Sequence, residues 1–281
     1  LSVPRPTRIE QGVHWRLLID GPADGAANMA ADESLFESVR AGGQPVLRLY
    51  RWQPSCLSLG RNQAAAVYDR ARAASRGIDM VRRPTGGLAV YHHRELTYAV
   101  LAPVSWRGRP RAAYRAIHAA IACGLRTLGV PAHSLSARVS APAAVAGSVP
   151  AALPSRHAPH PCFQDTVDGE VAVAGRKLVG SAQRCEGRTL LQHGSILLHD
   201  DQTVVNQLQR TPGFVSTPAA IGLDEVLGEA PSCERLAQAI VDGFAADCGI
   251  VFRTDALSAA EQRRAHILRE RYRSEAWTGR K

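Results

Sequence analysis

The chain has 281 residues, of which 45% are hydrophobic and 21% charged, and its formal net charge is +9. That balance describes a globular protein of one large domain or two modest ones, with no apolar run long enough for a transmembrane helix. Six cysteines without Cys-x-x-Cys spacing argue against a zinc site or a disulfide framework, and the opening LSVPRPTRIEQGVHW lacks the apolar core of a secretory signal, so a reduced, cytoplasmic protein is expected.

In chain order, His14–Asp20 reads as a strand and Ala27–Arg40 as a helix, with Leu35, Phe36 and Val39 at helical spacing. Val46–Trp52 alternates apolar and polar residues and predicts a half-buried strand; Cys56–Leu59 is a shorter one. Ala64–Arg76 predicts a helix stopped at Gly77, and Ile78–Arg82 runs into a turn at Arg83-Pro-Thr-Gly-Gly87. Leu88–Tyr91 and Leu96–Leu101 read as a strand pair, and Arg111–Leu128 as an amphipathic helix. Residues 131–161 are rich in Ala, Pro and Ser without a period, which predicts an irregular loop. Three strands follow, Glu170–Ala174, Lys177–Arg184 and Thr189–Leu198, with turns at Gly175 and Gly187. Thr203–Gln209, Cys233–Cys248 and Ala259–Tyr272 predict helices. Strands that look hairpin-joined, mixed with helices lacking a regular βαβ rhythm, predict an α/β (α+β) fold with a mixed, largely antiparallel sheet. The expected organisation is one catalytic domain over residues 1–255 and a C-terminal helix and tail over 256–281.

The basic excess favours an anionic partner, whether nucleic acid, nucleotide or acidic protein, or else only a solvated surface. No Lys/Arg block interleaved with aromatics supports nucleic-acid binding. Of 34 Lys+Arg residues only Lys177 and Lys281 are lysines. Lys177 sits between Gly175 and Gly180, where a compact ammonium suits a small pocket that a guanidinium fork would not enter; chance survival is the plain alternative. Arg82-Arg-Pro-Thr-Gly-Gly87 places two cations before a glycine turn and reads equally as an anion or carbonyl cradle or as an ordinary turn. It is neither a Walker A loop nor a dinucleotide fingerprint. Cys162, in HPCFQD, has a loop-like setting fit for a nucleophile. Cys56, Cys123, Cys185, Cys233 and Cys248 lie in apolar periodic segments and read as small core residues. His92, His93 and His193 are general-base candidates, although a strand histidine is more often structural.

Four stretches taken together resemble the lipoate/octanoate branch of the biotin–lipoate protein ligase superfamily. They are Asn28-Met-Ala-Ala-Asp-Glu33, Arg82-Arg-Pro-Thr-Gly-Gly-Leu-Ala-Val-Tyr-His92, Gly175-Arg-Lys-Leu-Val-Gly-Ser-Ala-Gln183 and Gln192-His-Gly-Ser-Ile-Leu-Leu198. The resemblance spans about His14 to Asp255 and implies a fold related to class II aminoacyl-tRNA synthetases, with an apolar acyl tunnel covered by the double-arginine glycine loop. It implies that Lys177 contacts the acyl carbonyl oxygen, and that Arg82, Arg83, Gly86, Gly87, His92, Gly180, Ser181, Ala182, His193 and Gly194 bind substrate. It admits two chemistries: octanoyl transfer from acyl carrier protein through an acyl-cysteine, without a cofactor, or ATP- and Mg2+-dependent lipoate ligation. A cysteine fifteen residues before Lys177 resembles the single-domain octanoyltransferases and favours the first, with Cys162 as nucleophile and a lipoyl domain or the glycine-cleavage H protein as acceptor. No membrane is implied and no resident metal. A non-catalytic acyl- or cofactor-binding protein is the third possibility. Three features depart from the transferase pattern: His92-His93 in place of His-Asp, no Pro-Ser pair after Cys-Phe, and a ligase-like Gly60-Arg-Asn-Gln63. Asp165 is in addition a candidate metal ligand.

Overall fold

The computed structural model describes residues 13–134, 163, 169–211 and 220–280. Cys162, Asp165 and most of the expected 131–161 loop lie outside the described residues. In chain order the elements are β1 (Val13–Ala23), α1 (Gly25–Arg40), β2 (Val46–Trp52), β3 (Cys56–Leu59), α2 (Arg70–Ser75), β4 (Asp79–Arg82), β5 (Val90–His92), β6 (Glu95–Pro103) and α3 (Pro110–Thr127). They continue with β7 (His133–Ser134), β8 (Val171–Val173), β9 (Arg176–Lys177), β10 (Val179–Glu186), β11 (Thr189–Leu197), α4 (Thr203–Gln207), α5 (Leu223–Leu227), α6 (Cys233–Cys248), β12 (Ile250–Thr254), α7 (Ala259–Arg273) and α8 (Glu275–Thr278).

A six-stranded sheet in the order β10-β11-β6-β2-β1-β12 forms the floor. Three of its pairings are antiparallel, and β1 pairs in parallel with both β2 and β12. Side chains alternate across a strand, and this alternation builds a three-layer molecule. On β6, Leu96, Tyr98, Val100 and Ala102 meet Ile117, Ile121 and Leu125 of α3 and Leu236, Ile240 and Phe244 of α6. Ala99 and Leu101 face the other way, among Met29, Leu35 and Phe36 of α1 and Leu268 and Tyr272 of α7. Both faces are therefore covered, so β2 is buried on both sides rather than half-buried as its alternation predicts. Its polar Arg48 is 3% exposed because Asp20, Asn28 and Asp32 accept its bonds at 2.6, 3.0 and 2.7 Å. Among the described residues no helix is long and apolar enough to cross a membrane.

Two three-stranded sheets, β4-β3-β5 and β7-β8-β9, flank the floor. They correct two expectations. β5 pairs with β3 in one sheet while β6 pairs with β11 and β2 in another, so these consecutive strands are not a hairpin. The single expected strand Lys177–Arg184 divides at Leu178: β9 joins β8, and β10 joins β11. The predicted helix Ala64–Arg76 also breaks. Tyr68 is extended, fully buried and bridged to Gln209, and Asp69 restarts the chain as the N-cap of α2. Among the cysteines expected in the core only Cys56 is buried; Cys123, Cys233 and Cys248 are intermediate and Cys185 is exposed. Cys185 lies near the end of β10, the edge strand of the floor, where the pairing runs out.

The segment after Asp255 closes back on the floor. Ser258 and Glu261 form a capping box at the start of α7. Glu261 also takes two bonds from Arg16 of β1, at 2.6 and 2.9 Å. Farther along, Arg264 pairs with Glu37 and the Tyr272 hydroxyl donates to Glu33, both acceptors on α1.

Candidate active site

A cavity of about 30 Å3 opens where α1, β2, β5, β10 and β11 converge. Met29, Trp52, Val90 and Ala182 give it an apolar wall; Arg83, His92, Gly180, Ser181, His193 and Gly194 also line it. Of the residues assigned by resemblance, seven therefore meet here: Arg83, His92, Gly180, Ser181, Ala182, His193 and Gly194. Gly86 and Gly87 belong to the loop above and do not line the cavity.

The two cationic side chains of the glycine loop do different work. Arg83 folds back into its own loop, donating to the carbonyls of Gly86 at 2.8 Å and Leu88 at 2.7 Å and to the Ser58 carbonyl at 3.1 Å. Arg82 is absent from the cavity lining. Its guanidinium is fully buried among main-chain carbonyls, those of Gly60, Arg61 and Gln63 on one side and of Trp277, Thr278 and Arg280 on the other. Burial and the neighbouring Arg280 charge both press its pKa down. Arg82 thus joins the loop, the turn after β3 and the C-terminal segment rather than presenting a free cation. Close backbone approach fixes the loop's height as well. A Cβ on Gly60 would lie 1.9 Å from the Gly87 carbonyl oxygen, which only glycine permits.

Two histidines are held alike. His92 Nδ1 lies 2.8 Å from Glu95 and its Nε2 2.7 Å from the Ser58 hydroxyl. His193 Nδ1 lies 3.0 Å from Asp32 and its Nε2 2.7 Å from the Thr85 hydroxyl. An ionised carboxylate only accepts, so the His193 ring carries a proton on Nδ1 toward Asp32, and in its neutral form accepts the Thr85 hydroxyl's hydrogen at Nε2. Burial lowers the His193 pKa, against the pull of Asp32, which favours a neutral ring. Asp32, itself wholly buried, is disfavoured as an anion by desolvation; its bonds from His193 and the Arg48 charge outweigh that and lower its pKa. With Nε2 occupied by a protein hydroxyl, each histidine orients a neighbour, Thr85 of the glycine loop or Ser58 under it.

Lys177 is 1% exposed, and its Nζ lies 2.8 Å from Glu170, itself 2% exposed. The Phe163 ring stands 5.3 Å from the same nitrogen. Phe163 is packed onto Gly180, where a Cβ would lie 2.6 Å from the ring edge. Beside this group is a further buried set without a local sequence signature. The Ser181 hydroxyl lies 2.6 Å from the Tyr98 hydroxyl and 2.7 Å from His118 Nε2, and Gln192 donates to Tyr98 at 3.1 Å. Burial drives the His118 pKa to about 3, and the Lys177 charge adds to that, against a raising contribution from the Gly169 backbone. The lowered pKa favours a neutral ring, whose Nε2 stands within hydrogen-bond distance of the Ser181 hydroxyl. Glu170, His118, Tyr98, Asp32, Met29 and Ser58 are site residues that sequence reasoning did not single out. Asp32 and Met29 sit inside the quoted Asn28–Glu33 motif, the one signal that pointed near them.

The mixed sheet thus carries an apolar slot under a clamped glycine loop, with the buried Lys177 next to Phe163 but outside the slot's lining, an arrangement suited to holding an acyl group. The comparisons agree. The family model described as the lipoyl protein ligase A/B catalytic domain matches residues 24–245. A protein named octanoyltransferase LipM from Kyrpidia tusciae is 38% identical over 280 residues, covering 95% of this chain and 99% of that one. Another of the same name from Moorella thermoacetica is 35% identical, covering 95% and 98%. Among solved structures, a lipoate-protein ligase A bound with ATP superposes with a TM-score of 0.75 at 23% identity, covering 95% of this chain and 98% of that one. A bi-partite lipoate protein ligase from Thermoplasma acidophilum gives 0.74 at 22%, covering 95% and 96%; both show the shared fold. The chain belongs to the lipoyl protein ligase A/B catalytic-domain family and is an acyltransferase.

Proposed function

We propose that the protein moves an octanoyl group from the thioester of an acyl carrier protein to a lysine of a lipoyl domain or of the glycine-cleavage H protein, through an acyl group held on Cys162. The observation that carries this reading is the anchoring of Phe163. Its ring is 2% exposed, seated on Gly180 and 5.3 Å from the Lys177 ammonium. Consecutive Cα atoms are about 3.8 Å apart, so the peptide bond ties Cys162 to a residue already fixed beside Lys177. The octanoyltransferase names of the LipM relatives support the acyl chain.

In the first half-reaction the Cys162 thiolate attacks the thioester carbonyl. The carbonyl–sulfur bond to the carrier's arm breaks, and the departing thiolate takes up the proton released by Cys162. In the second, a neutral lysine amine of the acceptor attacks the acyl-cysteine; the amide forms, the thiolate leaves and the amine's surplus proton returns to it. A thioester exchanged for an amide runs downhill, so no ATP is needed. Lys177 donates to the carbonyl oxygen as it gains charge, a role worth most in a water-poor site. Arg83 and the Thr85–His193 bond hold the glycine loop in place above. The cavity has room for about one water, so the acyl chain must displace side chains, and the pliable thioether of Met29 is the first to yield.

Incubation with octanoyl-carrier protein followed by mass spectrometry should find an acyl adduct on Cys162, and transfer should follow ping-pong kinetics. A Cys162→Ala protein with full transfer activity would end the proposal. The paired assay runs octanoate with ATP and Mg2+; activity there, indifferent to Cys162, would instead select lipoate–protein ligation. Retention of an acyl ligand with no transfer to any lipoyl domain would select the non-catalytic binder.

A further inference from the structure

Charge is unevenly matched over the surface. On the face carrying α7 the arginines have acidic partners: Arg264 with Glu37, Arg269 and Arg273 with Asp24, Arg271 with Glu33. Beside the glycine loop the balance changes. Arg72 of α2 and Arg76, its C-cap, donate to the Gln207 carbonyl at 2.8 Å and its side-chain oxygen at 2.9 Å. The Arg210 N–H donates to the Val67 carbonyl at 2.9 Å, and Arg280 donates to the Arg61 carbonyl at 2.7 Å. The Ala65 N–H, in turn, reaches the Arg280 carbonyl at 3.5 Å. These bonds knit Arg61, Arg72, Arg76, Arg210 and Arg280 into one surface, and all but the half-buried Arg280 are exposed. Among the described residues, the carboxylate within ion-pair distance of any of the five is Asp69, 3.6 Å from Arg72 and already capping α2. The patch also abuts the site, since the Arg61 N–H donates to the Thr85 carbonyl at 2.8 Å and the Thr85 hydroxyl bonds His193 in the cavity wall.

We propose that this arginine surface docks the acyl donor, an acidic carrier protein whose thioester arm is attached through a phosphate. The inference rests on the acyl-transfer reading above. Guanidinium forks match carboxylates and phosphate alike, and a donor of this kind offers both, whereas a lipoyl-type acceptor offers carboxylates only. A like-charged field beside the entrance concentrates and orients such a partner, and its effect falls on association.

The test is steady-state transfer by the full chain carrying Arg72→Glu, Arg76→Glu and Arg210→Glu together, with the milder triple Arg→Gln change as a second variant should the first fold poorly. Two donors are compared, octanoyl-carrier protein and the small uncharged octanoyl-N-acetylcysteamine thioester. The expected result is a KM for the carrier donor raised about tenfold or more, with a flattened salt dependence, while the small thioester and the acceptor keep their values. Equal loss with both donors, an unchanged carrier KM, or a raised acceptor KM would overturn the assignment. So would salt-sensitive DNA binding abolished by the substitutions without change in carrier KM. Absence of transfer by the unsubstituted protein from either donor is a different result: it removes the acyl-transfer reading itself, and this inference with it.

Discussion

Replacement of Gly180 by alanine is the sharpest test of the proposal that Phe163 anchors the residue next to it, Cys162, as nucleophile. The new Cβ would lie 2.6 Å from Cζ and 2.7 Å from Cε2 of Phe163. Carbon atoms in comfortable contact stand about 3.5–4.0 Å apart, so the ring must retreat by roughly 1 Å. It has no free direction, because it is 2% exposed and packed among Val90, Leu197 and Ala220. Overpacking of this kind costs about 1–3 kcal/mol, which in a chain this large lowers Tm by about 2–4 °C per kcal/mol. The larger effect should fall on the rate, since a displacement of about 1 Å at a reacting group can cost on the order of 100-fold. The assay is single-turnover acylation by octanoyl-carrier protein, read alongside thermal unfolding. Gly180→Ala combined with Phe163→Leu should recover much of the lost rate by vacating the ring edge. Gly21→Ala is the control: nothing lies within 4 Å of its added carbon, and it should leave both measurements unchanged. Acylation by Gly180→Ala at the unsubstituted rate would refute the view that Phe163 seats Cys162 by leaning on this glycine.

Three more substitutions probe other parts of the site. Lys177→Arg should lower acylation by about 100-fold or more, the effect of losing one oxyanion donor, because a wider head must enter a space where Lys177 is 1% exposed; an unchanged rate would remove Lys177 from carbonyl recognition. His118 keeps a pKa near 3 when folded, whereas an unfolded histidine titrates near 6.5. As pH falls from about 6.5 toward 3 the unfolded chain gains a proton that the folded one refuses, so this site withdraws about 1.4 kcal/mol of stability per pH unit there and nothing above it. His118→Gln should flatten that acid slope in urea titrations; an identical slope would contradict a neutral buried ring. Arg82→Lys should leave carbonyls of Gly60 to Gln63 or Trp277 to Arg280 unpaired at about 1–3 kcal/mol each, and tryptic cleavage at Arg273 should accelerate; unchanged stability and cleavage would deny Arg82 its bracing role.

Much of the fold was legible because its signals are local. α6 follows from a run whose period is set by burial of one face, and β11, buried on both faces, from an apolar-rich run that begins where the Gly187 turn punctuates the sequence. What escaped is non-local. Arg82 and Arg83 are neighbours in a motif, and adjacency suggested two cations facing one ligand. Adjacent side chains on an extended backbone point oppositely, and the carbonyls that receive Arg82 come partly from Trp277 to Arg280, almost two hundred residues onward. Pattern cannot reveal such a partner. β5 and β6 are joined by a short polar turn, which reads as a hairpin; only the pairing of β5 with β3 shows that the turn passes the chain between sheets. Tyr98 and Glu170 look like ordinary strand residues and His118 like an ordinary helix residue until folding brings them to Ser181 and Lys177. The missing strand β12 is short, and its parallel partner β1 lies at the far end of the chain.

The single internal lysine can now be weighed in physical terms. An ion pair removed from water loses solvation that Coulomb attraction repays only with good geometry, so Glu170 and Lys177, at 2% and 1% exposure, are a poor way to gain stability alone. Bringing a compact ammonium into a dry site has a use when its hydrogens must reach both a fixed carboxylate and a transient oxygen. The tetrahedral ammonium offers three donors on a flexible stem, so one can stay on Glu170 at 2.8 Å while another turns to the acyl carbonyl. A guanidinium is planar and wider, and would have to move as a unit. Arginine serves elsewhere in this chain both on the surface and in buried, multiply bonded positions such as Arg48 and Arg82; under the proposed carbonyl role, position 177 needs size and swivel instead.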